Sequence, residues 1–194
     1  NKKHYVPLCE KLIERGYGDK VIIWAYSRVS SVCDPELLKL IRKAGIRWLA
    51  LGIESGDKKI RMEVSKGRYE DVDIRRVVKQ IQDADIEVMG NYIVGLPFEN
   101  KETMQETVNL AMELCTLGFN LYAATNIAGS FLYKDALDKG KRVPIKYSEY
   151  SFHSYDSVCN ETDTLSAAEI LKFRDDTYIQ YHTNSLYLEK IKNK

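Results

Sequence analysis

The chain has 194 residues, of which 44% are hydrophobic and 29% charged, and its formal net charge is +1. This composition predicts a globular domain with its own core, and the near-neutral charge gives no electrostatic argument for nucleic acid or a membrane surface as a partner. No apolar run approaches the length of a secretion signal or a membrane span, so we expect a cytoplasmic protein.

Short apolar runs alternate with amphipathic stretches along the first 127 residues. An amphipathic stretch at residues 6–15 predicts a first helix, which Gly16 ends. Asp34 and Pro35 predict a sharp helix start, because Asp caps free amide groups and Pro fits the first helical turn. Strands are predicted at residues 21–24, 46–53, 86–94 and 119–127, and further helices at 57–64, 74–84 and from Met104 to just before Gly118.

Strands separated by helices of this length imply an α/β fold with parallel strands and right-handed crossovers. From about residue 141 the pattern changes to an extended segment rich in Tyr, Ser and Asp. Ser166 and Glu169 then form a capping-box pattern, which predicts a last helix. We therefore divide the chain into residues 1–140, the repeated strand-helix part, and residues 141–194, an extended segment and helix that pack on it.

Polar residues and a glycine turn follow the predicted strands. In parallel α/β folds, ligand-binding groups come from the carboxyl ends of strands. Together these residues suit a ligand with a ribose diol, a charged end and a flat base. The candidate binding residues are Arg28, Glu54, Ser55, Asn91, Gly95, Leu96, Pro97 and Asn126.

Each candidate also has a structural interpretation. Glu54 could cap the helix at Asp57 or pair with Lys58, and Arg28 could be a solvated charge or a partner of Glu54. Asn91 could be an amide bonded to the backbone, and the Gly-Leu-Pro segment could be an ordinary turn.

Four segments in order, "SRVSSVCDPELLKLIRKAG", "LALGIESGDKKI", "NYIVGLPFENKETMQETVNLAMEL" and "GSFLYKDALDKG", resemble the radical S-adenosylmethionine superfamily. The resemblance is greatest to the group whose longer members often carry a cobalamin-binding domain, and the tRNA methylthiotransferases are more distant. It implies a partial TIM-like (βα)6 barrel with outer helices that binds S-adenosylmethionine at the strand ends. Glu54 and Asn91 match positions near the ribose, and Arg28 matches one near the methionine end. The Gly95–Pro97 turn and the segment around Asn126 match the adenine side.

The chain departs from the family pattern in one important respect. It lacks the CxxxCxxC loop whose thiolates hold a [4Fe–4S] cluster, and the spacing of Cys9, Cys33, Cys115 and Cys159 resembles no metal site. We therefore expect no metal site here, and place the cluster, and cobalamin if it is used, in a longer parent protein. The chain would then begin after the first two barrel strands, which leaves the strand at 21–24 as an exposed edge. Such an edge invites self-association. A smaller departure is Ala128, where relatives often have Pro.

Three functions fit this sequence. The first is the carboxyl-terminal part of a radical S-adenosylmethionine enzyme, which would be inactive alone without its cluster. The second is a non-catalytic half-barrel that acts as a binding or scaffold module. The third, an ordinary barrel enzyme with a phosphate or metal site, ranks last because His4, His153 and His182 form no metal spacing. The substrate is unknown; the Tyr-rich segment around His153 either closes over it or is a plain surface connection.

Overall fold

The structure is a computed structural model that describes residues 2–64 and 72–194. Four strands form one sheet in chain order: β1 (Ile23–Arg28), β2 (Ile46–Glu54), β3 (Glu87–Val94) and β4 (Gly118–Ala123). β1 pairs in parallel with β2, in a register that aligns Trp24 with Trp48 and Arg28 with Gly52. The predicted α/β class, a partial barrel of parallel strands with helices, is confirmed.

Helices follow the strands, and the two capping signals predicted for helix starts are confirmed. Asp34 caps its helix by accepting a hydrogen bond from the Glu36 amide at 3.0 Å. Ser166 and Glu169 form the predicted capping box. The helices in the described residues are α1 (Lys2–Glu14), α2 (Pro35–Lys43), α3 (Lys58–Val64), α4 (Ile74–Asp83), α5 (Lys101–Leu114), α6 (Phe131–Asp138), α7 (Ala167–His182) and α8 (Ser185–Lys192). None of them is long and apolar enough to cross a membrane.

The first predicted strand was placed too early. The amides of Lys20 and Val21 donate to the Tyr17 carbonyl at 2.8 and 3.1 Å, so this stretch is a turn. β1 consequently starts at Ile23 and runs on to Arg28.

The last predicted strand was too long. β4 ends at Ala123 rather than at residue 127. The Asn160 amide donates to the Ala124 carbonyl at 2.6 Å, and Thr125 forms an isolated antiparallel bridge with Cys159. The second half of the supposed extended segment therefore returns alongside the end of β4. That segment also contains a 3₁₀ turn at Tyr147–Tyr150.

The described residues fall into two compact units, each with its own core. The first comprises residues 2–53, 72–91 and 114–119, and the second comprises residues 54–64, 92–113 and 120–194. The predicted boundary at residue 140 stays a prediction.

In the first unit, apolar helix faces cover one side of β1 and β2. Leu49 and Leu51 of β2 are buried on that side, and Ala25 and Ser27 of β1 line a cavity of about 150 Å³ beside α1 and α2. Because successive strand residues point to opposite faces, Trp24, Tyr26 and Arg28 lie on the other side of β1.

In the second unit, Leu96 packs with Ile60 and Ala124, and Leu132 lies against this cluster. Ile170 of α7 is fully buried and approaches Gly95, where an added Cβ atom would lie 2.9 Å from the isoleucine Cγ2. Gly95 also has φ +77°, a conformation that favours glycine. The glycine turn after β3 is therefore pressed against α7.

Candidate functional site

Glu54 ends β2 in an unusual state. Its φ is +69°, in the left-handed region that residues with side chains rarely adopt. Its side chain is partly buried, and it forms no hydrogen bond or ion pair with the residues that the structure describes. Burial raises the pKa of this carboxyl above its usual value. A strained, desolvated carboxylate without an internal partner is typical of a ligand-binding group.

The helix that follows does not use Glu54 as its cap. The amide of Ile60 donates to the Asp57 carboxylate at 2.9 Å, so Asp57 caps α3. This contact excludes the interpretation in which Glu54 serves only as the helix cap.

Ser55 and Gly56 anchor this strand end to the rest of the second unit. Ser55 is fully buried, and its Oγ lies 3.2 Å from Thr107 Oγ1 on α5. The Gly56 amide donates to the same Thr107 hydroxyl at 2.8 Å. Arg61 donates to the carbonyls of Ser55 and Gly56, both at 2.7 Å. The Ser55 hydroxyl is thus engaged internally, and its predicted contact with a ligand stays a prediction.

Two buried side chains, those of Asn160 and Glu99, form hydrogen bonds with the backbone of the Gly95–Pro97 turn. Asn160 donates through Nδ2 to the Gly95 carbonyl at 2.9 Å. The Leu96 amide donates to Glu99 Oε2 at 2.9 Å, and Glu99 is only 1% exposed. These bonds fix the backbone of the turn, which leaves the half-buried Pro97 at its outer end.

Glu99 is a residue that the sequence reading missed. Burial raises its pKa from 4.5 to about 7, although hydrogen bonds from the Leu96 and Gly95 amides and from Ser55 oppose this rise. Its second oxygen, Oε1, has no hydrogen-bond partner in the described part of the chain. Glu99 could not be identified from the sequence, because it is one of several polar residues after a turn and no hydrophobic periodicity indicates that it is buried.

Asn126 lies beyond the end of β4 and is almost completely buried, with 1% exposure. Its Oδ1 atom has no hydrogen-bond partner among the described residues. A buried acceptor without a partner is energetically costly, so a donor supplied by a ligand would relieve the cost.

Arg28 and Asn91 belong to the first unit, whereas the other candidates belong to the second. Arg28 is exposed at the carboxyl end of β1. Asn91 donates through Nδ2 to the Leu51 carbonyl at 3.3 Å, as the structural interpretation expects. Roles of Arg28 and Asn91 in cofactor binding stay predictions.

The described residues do not fit an iron–sulfur cluster. No group of three or more His, Cys, Asp or Glu side chains among them is placed to hold a metal ion. Burial raises the pKa of the Cys9 thiol, and raises that of Cys159 to about 11. Cluster ligands are thiolates, so these two buried cysteines have the opposite character.

The chain is similar in sequence to a known protein superfamily. The model of the Radical SAM superfamily matches residues 2–111. An anaerobic magnesium-protoporphyrin IX monomethyl ester cyclase from Cereibacter sphaeroides is 35% identical over 114 residues, which are 58% of this chain and 18% of that protein.

Two solved structures of radical S-adenosylmethionine enzymes are similar in fold. Coproporphyrinogen III oxidase (HemN) from Escherichia coli gives a TM-score of 0.63 at 16% identity, over 99% of this chain and 43% of that one. The methyltransferase TsrM from Kitasatospora setae, with cobalamin and a [4Fe–4S] cluster bound, gives 0.52 at 26% identity, over 62% of this chain and 23% of that one. The chain thus spans less than half the length of each of these proteins.

Proposed function

Because the chain belongs to the radical S-adenosylmethionine superfamily, we propose that it forms the S-adenosylmethionine-binding part of a radical enzyme. The observation that carries the proposal is Glu54, a partly buried carboxylate at the end of a strand that has no partner among the described residues. In the complete enzyme, a [4Fe–4S] cluster would supply one electron for the cleavage of S-adenosylmethionine to methionine and a 5′-deoxyadenosyl radical, while residues of this chain would hold the nucleoside half of the cofactor.

The residues of the second unit suit the nucleoside half of this cofactor. The Glu54 carboxylate can accept hydrogen bonds from ribose hydroxyls, which would supply a partner that no described residue provides. The half-buried Pro97, at the outer end of the Gly95–Pro97 turn, offers an apolar surface for an adenine ring. Asn126 Oδ1 can accept from an exocyclic amino group, because no described residue uses it.

We propose the cluster, and cobalamin where the reaction is a methyl transfer, as cofactors of the complete enzyme only. Among the described residues, no group of three or more His, Cys, Asp or Glu side chains is placed to hold the cluster. The name of the relative from Cereibacter sphaeroides makes a cyclic tetrapyrrole the first class of substrate to test.

A non-catalytic scaffold is the second candidate, and the internal engagement of the Ser55 hydroxyl favours it. Calorimetric titration of the chain with S-adenosylmethionine separates the two functions. We expect heat of binding at one site. Absence of heat up to millimolar ligand would support the scaffold and contradict the proposed function.

The variant Glu54→Gln should weaken S-adenosylmethionine binding by about 1–3 kcal/mol, the usual cost of removing a charged hydrogen-bond partner. Folding should not be weakened, because the substitution removes a desolvated charge that has no partner in the described protein. Calorimetry gives the affinity, and the midpoint of thermal unfolding, measured on the same sample, gives the stability.

Glu63→Gln is the matched control, since Glu63 is an exposed carboxylate on α3 in the same unit. It should leave both the affinity and the unfolding midpoint unchanged. An unchanged affinity together with a lowered unfolding midpoint in Glu54→Gln would remove Glu54 from the site.

A further inference from the structure

Two large aromatic side chains stand exposed on β1. The rings of Trp24 and Tyr26 are stacked, with centroids 6.0 Å apart and an angle of 16° between their planes. Trp24 is 52% exposed and Tyr26 is 80% exposed. Neither ring belongs to the buried core of the first unit, although Tyr26 also borders the cavity beside α1 and α2. Two exposed aromatic rings in contact form a contiguous apolar surface, which makes them a candidate binding surface.

A positively charged residue, Arg28, lies on the same side of β1 as the two rings. Arg28 is exposed two residues beyond Tyr26, and strand geometry places alternate residues on one face. Its guanidinium forms no hydrogen bond or ion pair with the residues described. Trp48 lies beside Trp24 in the parallel register with β2, which extends the aromatic surface to a second strand.

We propose that this β1 row, Trp24, Tyr26 and Arg28, binds a planar aromatic molecule that carries a carboxylate. The molecule packs against this aromatic pair, and its carboxylate pairs with Arg28, whose planar guanidinium suits bidentate binding. This inference rests on the proposed function, because the molecule is the substrate of that enzyme. Under this proposal, Arg28 binds the substrate and not the methionine end of the cofactor, which is the role that the family resemblance implies.

The test uses two fluorescent probes that differ in one group: 1-pyrenebutyrate, which is planar with a carboxylate, and 1-pyrenebutanol, which is planar and neutral. The anisotropy of the probe, measured as the chain is added, gives the affinity. We expect the carboxylate probe to bind about tenfold more tightly than the alcohol.

Two variants examine the two parts of the row separately. Tyr26→Leu should weaken both probes by about fivefold to tenfold, because it removes a stacking ring. Arg28→Gln should weaken only the carboxylate probe, to the affinity of the alcohol. Tyr17→Leu is the matched control, since Tyr17 is an exposed tyrosine elsewhere in the first unit, and it should bind both probes normally.

Trp24 and Trp48 are the only tryptophans in the chain, so tryptophan fluorescence reports on this surface. It also shows whether each variant keeps the native environment. If Tyr26→Leu does not fold, Trp24→Leu tests the same ring stack. The proposal would be overturned if Tyr26→Leu, or Trp24→Leu in its place, bound both probes as tightly as the Tyr17→Leu control does.

Two further measurements separate this proposal from its alternatives. Loss of S-adenosylmethionine affinity in Arg28→Gln, with unchanged probe affinity, would return Arg28 to the cofactor and overturn the inference. Sedimentation velocity tests the edge strand: a dimer that Tyr26→Leu converts to a monomer would show that a second copy covers the row, and would also overturn it. Absence of cofactor binding by the unchanged chain would refute the proposed function alone, since probe binding is measured independently.

Discussion

We expect the free energy of unfolding to fall by about 3 kcal/mol as the pH rises from 4.5 to 8, through ionisation of Glu99. Burial raises the pKa of this carboxyl from 4.5 in the unfolded chain to about 7 in the folded protein. The folded state therefore holds a proton that the unfolded state has already released. The stabilisation is fully present below pH 4.5 and is lost as the pH rises through 7.

Urea unfolding at pH 5, 6, 7 and 8 measures this dependence. Glu99→Gln should remove most of the slope, because an amide does not ionise while its oxygen can still accept from the Leu96 amide. Glu102→Gln is the matched control, as Glu102 is an exposed carboxylate three residues further along. It should keep the dependence of the unchanged chain. The same slope in Glu99→Gln as in this control would contradict the assignment.

The features of the fold that could be predicted are those fixed by short-range bonds. The Asp34 cap and the capping box of Ser166 and Glu169 join residues two or three apart, so their patterns are legible in the sequence. The end of β4 was missed because it depends on Asn160, whose amide bonds to Ala124 from 36 residues further along the chain. No local pattern carries that information.

The candidate site shows the same division. Glu54 and the Gly95–Pro97 turn could be located because strand ends and glycine turns are legible in the sequence. The left-handed backbone of Glu54, and its lack of a partner among the described residues, could not be predicted, because both depend on the three-dimensional surroundings of the residue. The engagement of Ser55 depends on Thr107, which is 52 residues away.

Among the described glycines of the second unit, Gly56, directly after the site residues, has the closest neighbouring atoms. A Cβ atom added there would lie 2.5 Å from the Thr107 amide nitrogen and closer still to the Glu106 carbonyl. These are backbone atoms within α5, which cannot rotate away as the end of a side chain can. The segment from Glu54 to Gly56 can therefore pack against α5 only with glycine at position 56, where the Gly56 amide donates a hydrogen bond to the Thr107 hydroxyl.

We expect Gly56→Ala to lower the free energy of unfolding by about 3 kcal/mol, since overpacking against fixed atoms forces the backbone to shift. Gly140→Ala is the matched control, because Gly140 has φ +64° and an added Cβ atom there meets nothing within 4 Å. That control should lose only about 1 kcal/mol, the cost of a side chain in the left-handed region. Urea unfolding of the two variants compares a steric cost with a purely conformational one. A loss at Gly56 no larger than at Gly140 would contradict the close approach. The expected larger loss would show that the backbone after Glu54 is held in place by α5.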